Sequence, residues 1–405
     1  MNIYYINNNY PENRCVIDKV PECSYIPLAS ASVVYSIKAV IEKIQHAFAH
    51  RYSQYLGEKT LSCYWLLKRR GIIHTFNSCI SGKNKWCATF ETVLPRTNYT
   101  RTGMSDISAI DKWTLKQFKL LAKDNCLGCM ALSQATYERQ MSALEAIKDF
   151  MTNEEIECIR NKTHILHPPQ ELLVTQDEIV NKFDSCDVLE LIFVGHDFFR
   201  KGGKELVDCL LEYKKQSNAN ESYLCVADRK IHLTVVSCMN YGDYASHATE
   251  TEMLQYKSLL ENELWITFFE KLSNDKVLEL CKKAHIGLLP TFADTYGYSV
   301  LEMQACGCAM LTTDIRSLPE INNESCGWIC HLPQNNKKEA LYQTEEMRVR
   351  LKKLLSEELQ TQLHLILNST KEELLQKALN SWSRVKEQHN PDNYSKKLKE
   401  IWNQK

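Results

Sequence analysis

The 405-residue sequence predicts an α/β protein of two domains, each built on a parallel sheet, and three observations carry that prediction. Short apolar runs rich in β-branched and aromatic residues alternate with longer segments of helical spacing, the signature of strand–helix–strand units with parallel strands. The chain is too long for one typical core and suits two domains of common size. With 44% hydrophobic and 24% charged residues, both halves can bury a core.

In the first half "NIYYIN", "GIIHTFN", "WCATFETV", "CMALS" and "THILHP" read as strands, with helices over "SVVYSIKAVIEKIQHAF" and "KWTLKQFKLLAK". Pro168 and Pro169 stop the last of these strands, and the acidic stretch "QELLVTQDEIVNKF" follows, so a domain boundary is expected there. In the second half "LELIFVG", "YLCVAD", "HLTVVS", "LWITFFE", "HIGLLPT" and "CAMLTTD" read as strands, with "DKVLELCKKA" and "SVLEMQACG" as helices. The tail from about Lys337 changes to long helical patterns, and Ser369 with Glu372 resembles a capping box opening one of them. The expected domains are residues 1–170, 171–380 and a terminal helix over 381–405 that returns towards the first domain.

No stretch approaches ~18 consecutive apolar residues, and "MNIYYINNNYPENR" lacks the charged start, apolar centre and small-residue cleavage site of a signal peptide. A cytoplasmic protein is expected. The 17 cysteines are odd in number and sit mostly within apolar runs, which reads as reduced core thiols rather than a disulfide framework. Cys126 and Cys129 form a lone CxxC, and Cys306 and Cys308 straddle Gly307; without a second spaced pair no metal site is expected.

A net charge of -1 gives no footprint for nucleic acid, and none is expected as a partner. The charge is nonetheless uneven, with a basic front and an acidic back. The richest basic window, "HRYSQYLGEKTLSCYWLLKRRG", mixes Arg51, Lys59, Lys68, Arg69 and Arg70 with four aromatics. It reads either as an amphipathic surface helix or as a peripheral contact with anionic lipid or a phosphate-bearing acceptor.

Two loops carry the chemistry. In "LIFVGHDFFRKGGKELVDCLLEY" an apolar strand ends at Gly195, and a loop with His196, Asp197, Arg200, Lys201, Gly202 and Gly203 leads into a helix. At the carboxyl edge of a parallel sheet, two cations beside glycines suit a diphosphate, although a solvated loop with two cations is also common. In "LLPTFADTYGYSVLEMQACG" a buried strand runs through a loop into a helix beginning near Gly297 or Tyr298. The backbone N–H groups of Tyr296, Gly297 and Tyr298 would then face an anion at the helix N-terminus. Asp294 precedes that terminus and Glu302 lies about one turn inside it. Paired carboxylates suit sugar and ribose hydroxyls, or are a helix charge and a solvated residue.

The acidic-x7-Glu pattern, the helix, "ACG", the following strand and "PEI" resemble the donor-site segment of the retaining GT-B glycosyltransferases of family 4. The Gly195 to Gly203 loop is similar to that family's diphosphate loop, and "THILHPP" to the end of its N-terminal domain. The resemblance implies a GT-B fold: two Rossmann-like domains with parallel sheets facing a cleft, and C-terminal helices packing back across the junction. It implies transfer of a sugar from a UDP- or GDP-sugar to a saccharide or lipid-linked acceptor, as in bacterial surface polysaccharide synthesis, with neither cofactor nor metal. Lys201 and Arg200 would neutralise the diphosphate, Asp294 would contact the transferred sugar, and Glu302 would hold the ribose. Tyr296, Gly297, Tyr298 and Ser299, with Gly195 and His196, would complete the donor site, and Phe269 and Lys271 would lie beside the base. Glu91 and Arg96 are the acceptor-side candidates, whereas His74 reads as a packed strand residue.

Three positions depart from the family pattern. Asp294 stands where Glu is usual, His196 where Arg is frequent, and "NNYPENR" where the first loop is glycine-rich. Asp294 and the first loop suggest a second reading, a nucleotide-sugar-binding protein without transfer, and a third is another GT-B chemistry such as a sugar epimerase.

Overall fold

The computed structural model describes residues 1–6, 9–28, 70–96, 112–215, 222–226 and 229–403. Within it the chain forms two compact units, one of residues 1–169 with 391–405 and one of residues 170–390. Most of the basic window, the helix expected over "SVVYSIKAVIEKIQHAF" and part of "NNYPENR" lie outside the described residues.

The first unit holds a parallel sheet ordered β2-β1-β3-β4-β5-β6 among the described residues. Its strands are β1 (Asn2–Tyr5), β2 (Ser24–Pro27), β3 (Ile72–Phe76), β4 (Lys85–Phe90), β5 (Cys126–Ala131) and β6 (Thr163–Ile165). Both faces are covered, and the strand period of two decides which residue goes where. Trp86, Ala88 and Phe90 of β4 enter one cluster with Phe118, Leu144 and Ile159 of the helices Lys112–Leu121, Gln134–Ala146 and Asn153–Lys162. Cys87, between them, enters the opposite cluster with Tyr394, Leu398 and Trp402 of the last helix, Pro391–Asn403. The Trp402 indole N–H donates to Cys87 Sγ at 3.2 Å, and the Tyr394 hydroxyl donates to the Cys15 carbonyl at 2.6 Å.

The second unit holds a sheet ordered β10-β9-β7-β11-β12-β13. These are β7 (Val188–Asp197), β9 (Arg229–Cys238), β10 (Ile266–Phe269), β11 (Ile286–Leu289), β12 (Ala309–Thr313) and β13 (Gly327–Cys330), all parallel to their neighbours. β8 (Leu224–Val226), read from sequence as one more parallel strand, instead pairs antiparallel with β9. Two residues separate the pair, and a parallel neighbour would need a crossover of about a dozen. β7 runs two residues past Gly195, so His196 and Asp197 belong to the strand end, with an irregular register there.

Two long helices, Glu345–Asn368 and Lys371–Gln388, complete the second unit. The capping box of the latter is one residue later than expected: Thr370 Oγ1 accepts from the Glu373 N–H at 3.2 Å, and Glu373 accepts from the Thr370 N–H at 2.8 Å. Ser369 instead closes the preceding helix, its hydroxyl donating to the Leu365 carbonyl. Because Lys371–Gln388 is one continuous helix, with Leu374, Ala378, Trp382 and Val385 buried, the return to the first unit begins at Pro391 and not at 381. Lys182 ties the second unit internally, donating to the carbonyls of Ala284, Cys306 and Gly307 at 2.7, 3.1 and 2.9 Å.

Every cysteine among the described residues is a free thiol, and no group of three or more His, Cys, Asp or Glu among them could hold a metal ion. No helix among them is long and apolar enough to cross a membrane.

Leu398 is fully buried in the first unit's core. Leu398→Ala is expected to lower that unit's unfolding free energy by about 2–5 kcal/mol through lost contacts and a residual cavity. Urea denaturation of the two proteins side by side measures it.

Candidate active site

Because β7, β9, β10 and β11 are parallel, the segments that follow them emerge at one edge of the second sheet, where open α/β sheets bind ligands. Two of these segments touch backbone to backbone. Gly202 has φ +76, and a Cβ there would lie 2.0 Å from the Pro290 carbonyl oxygen, so only glycine allows the approach. The Phe292 N–H donates to the Arg200 carbonyl at 3.0 Å, and Thr291 Oγ1 donates to the same oxygen at 3.2 Å.

That contact brings the expected cations to the expected carboxylate. Lys201, buried with only 7% exposure, donates from Nζ to Asp294 Oδ2 in an ion pair. Burial pushes the Lys201 ammonium below its ordinary range despite the charge of Asp294. Burial would raise Asp294, but the charge and hydrogen bond of Lys201, with Arg200 nearby, hold its carboxyl below the usual range. The two are opposed across a buried contact, and removing one partner would leave the other buried without its compensating charge.

Arg200 is anchored on two sides. Its Nε donates to Asp197 Oδ2 at 3.0 Å, Nη2 donates to the same oxygen, and Nη1 donates to the Ala293 carbonyl at 2.6 Å. A guanidinium fork thus straps the end of β7 to the loop after β11. Arg316, which the sequence did not single out, adds a further tie: Nη1 donates to the Asp294 carbonyl at 3.2 Å and Nη2 pairs with Glu339 Oε1 at 2.6 Å. It sits at φ +47 just after β12, and no local pattern marks it.

Past Asp294, the helix Tyr298–Ala305 begins with Gly297 at φ +95, where a Cβ would lie 2.7 Å from Leu318 Cδ2. The Tyr296 ring is buried, 5.5 Å from that of Tyr298, while Ser299 and Tyr298 are half-buried. Glu302 is 5% exposed in that helix. Gly195 accepts from Ser237 Oγ at 2.5 Å through its carbonyl, and the exposed His196 has Nδ1 3.6 Å from Cys238 Sγ. Phe269 and Lys271 lie on the same edge, two strands from β7.

Glu91 and Arg96 belong to the first unit, past β4. Glu91 Oε1 accepts from Arg96 Nη1 at 3.0 Å and from Asn77 Nδ2 at 3.2 Å, and the Glu91 carbonyl accepts from Thr136 Oγ1. The pair forms, and it also braces the loop. His74 is fully buried, with Nε2 2.9 Å from Thr89 Oγ1, and burial depresses its pKa to about 3. Ser133 caps the helix Gln134–Ala146, accepting from the Thr136 N–H at 3.0 Å.

Residues 176–354 match the family model for glycosyl transferases group 1, a span that contains Arg200, Lys201, Asp294 and Glu302. No curated protein matches the chain in sequence. In three dimensions the chain is similar to HepE from Anabaena in complex with UDP, at 11% identity over 99% of each chain and a TM-score of 0.52. It is also similar to sucrose-phosphate synthase from Thermosynechococcus elongatus, at 14% identity over 99% of this chain and 88% of that one, TM-score 0.52. A trehalose-6-phosphate structure from E. coli bound with UDP-2-fluoro glucose matches 84% of this chain and 75% of its own, at 10% identity and a TM-score of 0.53. The fold is that of GT-B glycosyltransferases.

Gly202→Ala is expected to destabilise the second unit by on the order of 1–3 kcal/mol, from the left-handed backbone and the Pro290 contact, as read by urea unfolding. Glu205, in the helix Gly203–Lys215 just beyond, is buried with no hydrogen-bond partner for Oε2 among the described residues, and burial raises its pKa from 4.5 to about 7. The folded state then holds this proton more tightly than the unfolded one. Stability linked to Glu205 is full below the unfolded pKa and is lost as pH rises towards about 7, by up to about 3 kcal/mol. Unfolding at about pH 5 and about pH 8 should show the loss, and Glu205→Gln should flatten it.

Proposed function

We propose that the protein is a retaining glycosyltransferase that moves a sugar from a nucleoside-diphosphate sugar to a saccharide or lipid-linked acceptor. The observation that carries this reading is the Lys201–Asp294 pair held between the two loops at the sheet's carboxyl edge, inside the segment matching glycosyl transferases group 1. UDP is the favoured nucleotide because HepE from Anabaena was crystallised with it, with GDP as the second choice.

In this reading the diphosphate draws Lys201 away from Asp294. The exchange stabilises charge developing on the leaving group and frees Asp294 for the hydroxyls of the transferred sugar. Glu302 holds the ribose hydroxyls, and backbone donors at Gly297, Tyr298 and Ser299 face the phosphates or the sugar. A leaving phosphate oxygen on the attacked face takes the acceptor proton, so the anomeric configuration is retained without a metal. Glu91 and Arg96 belong to the acceptor side. Acceptors of bacterial surface polysaccharides, met at the inner face of a membrane, fit the basic front of the sequence.

One observation favours a second reading, binding without transfer: the Lys201 charge is already compensated by Asp294. Incubation with UDP- and GDP-sugars, with and without saccharide acceptors, separates the two. Transfer is expected with at least one acceptor, and Lys201→Ala or Glu302→Ala should lower kcat/KM at least about tenfold, or ~1.4 kcal/mol. Unchanged turnover in both variants would refute the site; donor binding with neither nucleotide release nor transfer would leave the second reading.

A further inference from the structure

We infer that residues 240–249, the loop after β9, position Arg200 for the donor site, acting through Asn240 and Tyr244. The inference rests on the donor-site reading above and extends it to a loop outside both sequence motifs.

The loop holds its own shape. The Gly242 N–H donates to the Ala248 carbonyl at 2.8 Å, and the His247 N–H to the Asp243 carbonyl at 3.1 Å. Asp243 Oδ1 accepts from the N–H groups of Ala245 and Ser246 at 2.9 and 2.8 Å, and Oδ2 accepts from Ser246 Oγ. A capping box between Thr249 and Glu252 then starts the helix Glu250–Asn262. A loop braced this way presents its remaining side chains without waiting for a ligand to order them.

Two of those side chains reach the Arg200–Asp197 pair, Asn240 at the carboxylate and Tyr244 at the guanidinium. Asn240 Nδ2 donates to Asp197 Oδ1 at 2.9 Å, so Asn240 and Arg200 share one carboxylate, each on its own oxygen. Burial would raise the Asp197 carboxyl, but the hydrogen bonds from Asn240 and Arg200 hold it low and ionised. The Tyr244 ring lies 5.9 Å from Arg200 Cζ, within cation–π range, and 5.7 Å from the ring of Tyr342. Tyr244 is 54% exposed, so core packing does not account for its position.

The combination suits a positioning role. Asp197 and the Ala293 carbonyl hold the guanidinium by hydrogen bonds, and the Tyr244 ring restrains it from a further side. Tyr244 does this without adding a negative charge, so Arg200 gains a restraint and keeps its attraction for a diphosphate. A carboxylate in its place would repel the ligand.

The test measures UDP affinity by calorimetry in the full-length protein with Tyr244→Leu, Tyr244→Phe and Asn240→Ala, each also in an Arg200→Ala background. Tyr244→Leu and Asn240→Ala should each weaken UDP about three- to tenfold, and Tyr244→Phe, which keeps the ring, should stay within about twofold of the parent. With Arg200 removed, Tyr244→Leu should add almost nothing, because the coupling is through that residue. An undiminished affinity in Tyr244→Leu, or the same loss with Arg200 already absent, overturns the proposal. Crystal structures of Tyr244→Leu and Asn240→Ala separate this result from failure of the donor-site reading. A displaced Arg200 in protein that binds no nucleotide keeps the loop's role and removes the donor site; an Arg200 that stays in place removes the loop's role.

Discussion

The approach of Gly202 to the Pro290 carbonyl is the constraint on which the site depends. Two loops that follow different strands meet there without a side chain between them. The neighbouring Lys201 can then reach Asp294, and the fork of Arg200 can reach the Ala293 carbonyl. A larger residue at 202 would separate the loops and leave each cation facing water instead of the opposing loop. The site is thus a property of two backbones in contact, and its charged side chains take their places from that contact.

Electrostatically, the edge of the second sheet is a set of compensated pairs. Lys201 faces Asp294, Arg200 faces Asp197, and Arg316 faces Glu339, all with low exposure. Each ion has lost much of its hydration, so its partner supplies what water no longer does. A polyanion entering such a site does not meet bare positive charge. It meets cations whose present partners it must outbid, and the gain is the difference between two strong interactions. In the donor site proposed above, selectivity would follow from where each carboxylate is held, and there the side chain of Asp294 is one methylene shorter than that of Glu.

Much of this architecture was legible in the sequence because buried parallel strands are continuous apolar runs. "LELIFVG", "HIGLLPT" and "CAMLTTD" became β7, β11 and β12 at nearly their expected limits. The strands not foreseen, β2 and β13, carry residues that punctuate a sequence as breaks, Pro27 closing one and Gly327 opening the other. The capping box slipped by one residue because Ser369 and Thr370 both have Glu three positions on, and only the end of the preceding helix decides between them. Lys201, Arg200 and Asp294 were visible as polar residues at strand ends. Their pairing was not, since it depends on which strands become neighbours. Asn240, Tyr244 and Arg316 sit in loops without periodicity, where one sequence carries no sign of the partner across the sheet edge.

The last helix gives the chain an order of assembly. Tyr394, Leu398 and Trp402 close one face of the first unit's sheet, yet they follow the whole second unit in sequence. During synthesis the first unit's strands emerge early and wait for that cover while residues 170–390 are made, on the order of tens of seconds at ordinary elongation rates. Throughout that interval the cluster of Ile3, Ile72, Cys87 and Met130 lacks Tyr394, Leu398 and Trp402. That face of the first unit's sheet gains its cover only after residues 391–403 have been made.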